Sequence, residues 1–269
     1  MKIAVVSYNP AWLKPVENVD QCIQIIACAQ QQNCQLVIFP EMTLTGFSPQ
    51  YACLEPSVFQ YCLEKFKESA LKYNVYVIFG ALSRHSSSLD QLPTNDAFVI
   101  SPKQEIICRY SKLHLFSPAD EHFFVKSGSK ILTFSIDDMQ FAPSICYDLR
   151  FSEIYSALAS KVDCYINIAS WPSKRIDHWY ALLKARAIEN QAYVIGVNRS
   201  GEDGNGLMYD PSSIIYDPLG NSVCLVQSSH FDCLSFGDID LSFVGEIRSG
   251  FDILSNKRHD LYKLFFSAS

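Results

Sequence analysis

A chain of 269 residues, 48% of them hydrophobic, is long enough to bury one large core, and no linker, repeat or low-complexity stretch divides residues 1–269 into more than one domain. Its 22 basic and 28 acidic residues leave a net charge of -6 with no basic tract interleaved with aromatics, so nucleic acid is excluded as an expected partner. No run approaches the roughly 18 apolar residues of a membrane span, and residues 1–6 lead straight into an apolar strand instead of a secretion signal. A soluble, cytoplasmic protein is expected.

Residues 2–8 and 35–39 are short, β-branched and nearly all apolar, the pattern of buried strands. Between them Val19, Cys22, Ile23, Ile26 and Ala27 recur at helical spacing, which makes a βαβ opening unit. A second helix is expected over 57–73, then a strand over 75–79 closed by Gly80. Strands 96–101 and 105–110 flank Ser101-Pro102-Lys103-Gln104, where proline's fixed φ suits the second turn position. Further on, strands 130–136 and 140–145 are joined at Asp137-Asp138, and a short helix follows from about Phe151. A strand over 164–169, a helix over 178–190 and a strand over 192–197 complete the alternation of an α/β layered fold. The last third turns to β structure around the tight turn Asp217-Pro218-Leu219-Gly220.

The ten cysteines are scattered without a Cys-x-x-Cys pair, as small buried hydrophobes of a reducing compartment are. Neither they nor the six histidines have the spacing of a metal site. Cys146 differs in position: an apolar strand ends there and Tyr147-Asp148-Leu149-Arg150 leads toward a helix. A thiol at that point can face the cleft beyond the strand ends, near free backbone N–H groups. A buried structural thiol is the competing role, and placement alone leaves the two balanced. Leu36-Val37-Ile38-Phe39-Pro40-Glu41 delivers a carboxylate at the mouth of a buried strand, where it can act as general base or merely cap a helix. Lys112 follows the strand ending at Tyr110 amid apolar neighbours, with a solvated loop lysine as the alternative.

Taken with their flanks, Phe39-Pro40-Glu41, Lys112-Leu113-His114-Leu115-Phe116 and Cys146-Tyr147-Asp148-Leu149-Arg150-Phe151 resemble the Glu-Lys-Cys catalytic set of the nitrilase superfamily of carbon-nitrogen hydrolases. The stretch from Ala185 to Tyr193 and Gly204-Asn205-Gly206 also look like that family, so the resemblance covers nearly the whole chain. It implies a four-layer αββα sandwich, a homodimer or higher homo-oligomer, no metal or organic cofactor, and a second glutamate, matched by Glu121, that helps place the lysine. Where the family frequently continues with proline after Phe151, this chain has Ser152; proline there only preorganises a helix start, so the chemistry is expected to survive.

The implied reaction is amide hydrolysis with Cys146 as nucleophile and Glu41 as base. Lys112 and the Tyr147 backbone N–H would serve the oxyanion. A Cys-His hydrolase using His178 or His114 is the competing mechanism. Within the superfamily the chain is most similar to the omega-amidase branch, through Ser117-Pro118-Ala119-Asp120-Glu121-His122 with Lys126-Ser127-Gly128, Trp171-Pro172 and Asp203-Gly204-Asn205-Gly206. That branch hydrolyses the terminal amide of small 2-oxo acids such as 2-oxoglutaramate. Such a substrate calls for a cation to hold its far carboxylate; Arg175 is the first choice, ahead of Arg150 and Arg186, with Trp171 as a pocket wall. A nitrile or N-carbamoyl hydrolase, and a non-catalytic binding protein on the same fold, are the other readings.

Overall fold

The computed structural model describes residues 1–50, 55–84, 92–223 and 225–267. Its first half is β1 (Lys2–Val6), α1 (Pro15–Gln31), β2 (Leu36–Ile38), α2 (Pro56–Tyr73), β3 (Tyr76–Ser83), β4 (Thr94–Ile100) and β5 (Ile106–Ser111). The second half follows with β6 (Phe134–Ile136), β7 (Met139–Ile145), α3 (Ser152–Ser156), β8 (Cys164–Ala169), α4 (Ile176–Asn190) and β9 (Tyr193–Asn198). The chain then runs through β10 (Gly201–Glu202), β11 (Met208–Tyr209), β12 (Ile214–Tyr216), β13 (Val226–Gln227), β14 (Leu234–Asp238), α5 (Leu241–Gly250) and α6 (His259–Ser267). One sheet has the order β13-β14-β1-β2-β3-β4-β5 and the other β12-β9-β8-β7-β6, with β10 and β11 pairing separately.

The strands are apolar on both faces because both faces are covered. In the larger sheet Ile3, Val5, Leu36 and Ile38 pack toward the smaller sheet. Their neighbours Ala4, Val6, Val37 and Phe39 pack on α1 and α2. Phe66 of α2 stacks on Phe79 with ring centroids 4.1 Å apart. On the smaller sheet, α4 sets Trp179 and Leu183 against β9 at Gly196, where a Cβ would come within 2.3 Å of Leu183. The order helix, sheet, sheet, helix is the αββα sandwich that the resemblance implies.

The opening βαβ unit forms with β1 and β2 parallel and adjacent. At the 101–104 turn the Gln104 N–H donates to Ser101 O over 2.9 Å, and Gln104 takes a positive φ of 64°. Three expectations need correction. β3 runs through Gly80 to Ser83, because β4 pairs with it over its whole length. Only Phe134–Ile136 of the expected 130–136 strand pairs with anything, the preceding residues lying largely exposed. The last third is not all β: α5 begins where Asp240 Oδ1 accepts from the Ser242 N–H at 3.0 Å, an N-cap, and Arg248 anchors it by donating to Val162 O at 2.6 Å. Cys53 and Cys224 lie outside the described residues; the eight described cysteines are all free thiols.

Candidate active site

Glu41 stands at the C-terminal end of β2. Phe39 makes the last ladder bond, donating its N–H to Ile78 O at 2.8 Å, and Pro40 has no N–H to continue it. The chain turns through Met42 at φ 45° and crosses directly over β3. That crossing requires Gly80: a Cβ there would lie 2.6 Å from Met42 N and 2.7 Å from Glu41 Cα. The glycine that reads in sequence as a strand end is the seat of the Glu41 turn.

Lys112 follows β5 by one residue and keeps the parity of Cys108 and Tyr110, which face the space between the sheets. Its N–H donates to Asn95 O at 2.8 Å, continuing the β4–β5 register. Glu121 begins a short 3-10 turn, Glu121–Phe123, after the left-handed Asp120.

Cys146 follows β7 with φ 47°, a left-handed conformation that costs a non-glycine residue about 1–3 kcal/mol and lifts its side chain out of the strand ladder. The short helix expected from about Phe151 is α3, beginning at Ser152, and before it a 3-10 turn, Cys146–Arg150, starts at the cysteine itself. Asp148, fully buried, holds this elbow by accepting from the Ile145 N–H at 3.0 Å. The same carboxylate accepts from Tyr110 Oη at 2.7 Å and the His114 N–H at 2.9 Å, the two flanks of Lys112. The Cys146 turn and the lysine loop are thereby tied through one side chain. Arg186 secures the far end of the elbow, donating to Leu149 O at 2.9 Å while pairing with Glu189 at 3.0 Å; it does not line the cavity.

The C-terminal ends of β2 and β7, one from each sheet, bring these residues together. Lys112 Nζ lies 2.9 Å from Glu41 Oε1 and 3.0 Å from Glu121 Oε2, with all three side chains fully buried. The Ser170 N–H donates to Glu41 Oε2 at 2.9 Å, and the Phe116 N–H to Glu121 Oε2 at 2.7 Å. Cys146 Sγ lies 3.8 Å from Ser170 O. Burial, reinforced by the Glu41 carboxylate and opposed by Lys112, pushes the Cys146 thiol well above its ordinary range. It therefore rests as a thiol and needs a base. Burial pulls the Lys112 ammonium down, but Glu121 and Glu41 outweigh it and hold the group well above the usual lysine value. Sequence reasoning missed Asn95, whose Nδ2 donates to Glu41 Oε1 at 2.8 Å and Glu121 Oε1 at 3.0 Å. The signal was Thr94-Asn95-Asp96, three consecutive buried polar residues entering an apolar strand.

Neither histidine of the competing mechanism bonds the thiol. His114 Nδ1 lies 2.8 Å from Asp148 Oδ1, and its ring stacks on Phe151 with centroids 3.7 Å apart. His178 is exposed, with Nδ1 3.3 Å from Arg150 Nη2.

Above Cys146 opens a cavity lined by Tyr147, Trp171 and Arg175, and also by Arg150, Phe116 and Tyr209. Trp171 is buried and its Nε1 donates to Arg175 O at 2.8 Å, which fixes the loop carrying that arginine. Arg175 lies over Phe116 and Arg150 over Trp171, 5.5 and 4.8 Å from the ring centroids. Among the described residues neither arginine has a carboxylate partner within salt-bridge distance. Ser170 Oγ, of a residue that also lines the cavity, is buried without a hydrogen-bond partner among the described residues. Gly204 lies close against Trp12: a Cβ there would meet its ring at 2.3 Å. Among the described residues no three His, Cys, Asp or Glu side chains are grouped to hold a metal ion.

The carbon-nitrogen hydrolase family model matches residues 2–249. The 2-oxoglutaramate amidase of Bacillus subtilis (strain 168) is 29% identical over 263 residues, 97% of this chain and 98% of the relative. The omega-amidase YafV of Escherichia coli (strain K12) is 35% identical over 195 residues, 72% of this chain and 73% of the relative. The crystal structure of XC1258 from Xanthomonas campestris, a CN-hydrolase superfamily protein with an arsenic adduct in its active site, superposes with a TM-score of 0.84 at 26% identity, covering 96% of this chain and 97% of that one. With the sandwich fold and the buried Glu-Lys-Cys constellation, this match over nearly the whole chain makes the protein a member of the carbon-nitrogen hydrolase family, an enzyme that breaks a C–N bond by hydrolysis.

Proposed function

We propose that the protein hydrolyses the terminal amide of a small omega-amido 2-oxo acid, 2-oxoglutaramate or 2-oxosuccinamate, to the dicarboxylate and ammonia. The observation that carries this is the pairing of a buried nucleophile with two arginines, Arg150 and Arg175, that line the same cavity without carboxylate partners among the described residues. A substrate with an amide at one end and a carboxylate at the other spans those two features. The relatives described as 2-oxoglutaramate amidase and omega-amidase support the same choice.

In this reading Glu41 takes the Cys146 proton as sulfur attacks the amide carbon. The oxyanion receives an N–H of Lys112 and the Tyr147 backbone N–H. As the tetrahedral intermediate collapses, Glu41 returns the proton to the leaving nitrogen, releasing ammonia and a Cys146 thioester. Glu41 next deprotonates a water molecule that attacks the thioester, and the thiolate leaves with that proton to restore Cys146. Glu121 holds Lys112 in place. The reading predicts a transient acyl adduct on Cys146, seen by rapid-quench mass spectrometry after mixing with 2-oxoglutaramate, and faster ammonia release from it than from N-carbamoyl amino acids or simple nitriles. Faster turnover of either alternative, or no adduct during turnover, overturns it.

We also propose self-association as a homodimer or higher homo-oligomer, on the support of the family resemblance and of a groove lined by Ile188, Pro218, Leu219, Ile247, Phe251 and Ile253. Phe251 is 75% exposed there, an unusual setting for a large aromatic. Sedimentation equilibrium is expected to give at least twice the chain mass, reduced to the single-chain mass by Phe251→Asp; a wild-type monomer overturns this. The free thiols suit a reducing compartment, and we place the protein in the cytoplasm on that support.

A further inference from the structure

Glu41 and Glu121 share two donors. Lys112 Nζ lies 2.9 Å from Glu41 Oε1 and 3.3 Å from Glu121 Oε1, and Asn95 Nδ2 bridges the same two oxygens at 2.8 and 3.0 Å. Oxygen, nitrogen, oxygen and nitrogen thus alternate around a closed ring. The backbone N–H groups of Ser170 and Phe116 serve only the outer oxygens, Glu41 Oε2 and Glu121 Oε2. Across the inner pair, where the two carboxylates face each other, Asn95 is the only donor besides the lysine among the described residues.

Charge makes that second donor matter. One ammonium against two carboxylates leaves an excess negative charge in a fully buried site. The two carboxylates repel each other, and each hydrogen bond donated between them offsets that repulsion. A Glu41 that already carries a proton cannot take the one on Cys146. Asn95 directs its amide nitrogen at both carboxylates even though its own Oδ1 is buried with no hydrogen-bond partner among the described residues, a destabilising arrangement for a residue with only a packing role. The main chain at this point is secured independently. Lys112 N–H donates to Asn95 O at 2.8 Å, and on the other face of β4 Asp96 accepts from Arg109 Nε at 3.0 Å and Ser111 Oγ at 2.6 Å.

We infer that Asn95 is a positioning residue that holds the two glutamates apart without a shared proton and so leaves Glu41 free to act on Cys146. The inference rests on Glu41 being the base, and its test separates the two claims. Asn95→Ala and Asn95→Ser would be compared with wild type and Glu41→Gln in kcat and KM against pH, and in the pH dependence of Cys146 alkylation by iodoacetamide, which needs no turnover. Thermal melts would identify which variants fold. For a folded Asn95 variant the acid limb of kcat is expected to move up by about one pH unit or more, with kcat at neutral pH lowered about 10- to 100-fold and KM changed less than about threefold. The alkylation profile is expected to move with it, and Asn95→Ser, which retains one donor, is expected to lie between Ala and wild type. An acid limb in place while kcat falls would reduce Asn95 to a structural residue and overturn the inference, as would wild-type kinetics. If Glu41→Gln leaves both profiles at their wild-type positions, it is the assignment of the base that fails, whatever Asn95 does.

Discussion

The fully buried cluster behind Cys146, which serves as a floor beneath the cavity lining, and the cavity wall both carry charge, but they treat it in opposite ways. On the floor Glu41, Lys112, Glu121 and Asn95 are fully buried and bonded to one another within 3.3 Å. On the wall Arg150 and Arg175 are half-buried and rest on aromatic rings, with no carboxylate partner among the described residues. The floor is complete before anything binds, so its electrostatics are set in advance. In the proposed function the wall is completed by the carboxylate of the substrate. The proposed function thus puts chemistry and recognition on separate groups, and substitutions should separate them.

Removing the nucleophile is the harshest test of the floor. Cys146→Ala is expected to lower kcat by at least about 10³-fold, because the donors around it cannot form a covalent intermediate; steady-state ammonia release measures this. Lys112→Met comes next. It leaves two buried carboxylates without their cation, so a stability loss of about 3–5 kcal/mol is expected in denaturant titration, along with loss of turnover. A Lys112→Met protein as stable as wild type would mean that the floor is not the closed ion cluster described.

The wall should respond in KM instead. Arg175→Met or Arg150→Met is expected to raise KM for 2-oxoglutaramate by about 10- to 100-fold, the worth of a charge-assisted hydrogen bond, with kcat reduced much less. Saturation kinetics of the two variants will also rank the arginines. A fall in kcat at constant KM would erase the distinction between floor and wall. The mildest perturbation is alkaline pH. Burial raises the thiols of Cys34 and Cys108 to about 12 and that of Cys62 to about 11, against an ordinary 9.0. Below 9.0 both folded and unfolded chains keep these protons; above it the unfolded chain releases them first. The contribution of these thiols to stability should therefore be constant below about 9 and be lost as pH rises from about 9 toward 12, a fall that urea midpoints at successive alkaline pH values will reveal.

Much of the frame could be read before the structure. The strands of the opening unit follow from apolar runs covered on both faces, and α1, α2 and α4 from helical spacing. Local reading failed where a partner decides the outcome. Residues 130–133 look like strand but have no neighbour to pair with, whereas Gly80 looks like a stop but continues β3 because β4 lies beside it. Residues 241–250 become helix through the Asp240 cap and the reach of Arg248 to Val162.

For the site, Glu41, Lys112, Glu121 and Cys146 could be named from motif flanks, and residues up to 105 positions apart in the chain do meet at the ends of β2 and β7. Asn95 is marked only by the polar run Thr94-Asn95-Asp96, and Ser170 and Tyr209 by nothing, since a serine after a strand and a tyrosine in a short one are common in any sequence. By itself the sequence determined which residue types are available, their periodicities and the family they belong to, because those properties are local or carried in short motifs. Only the tertiary structure decided which oxygen faces which nitrogen: that Asn95 bridges Glu41 and Glu121, that Asp148 ties the elbow to the lysine loop, and that Arg150 shares the wall with Arg175. Those facts depend on how two sheets stack, and hydrogen-bond energy changes over tenths of an ångström that no spacing along a chain encodes.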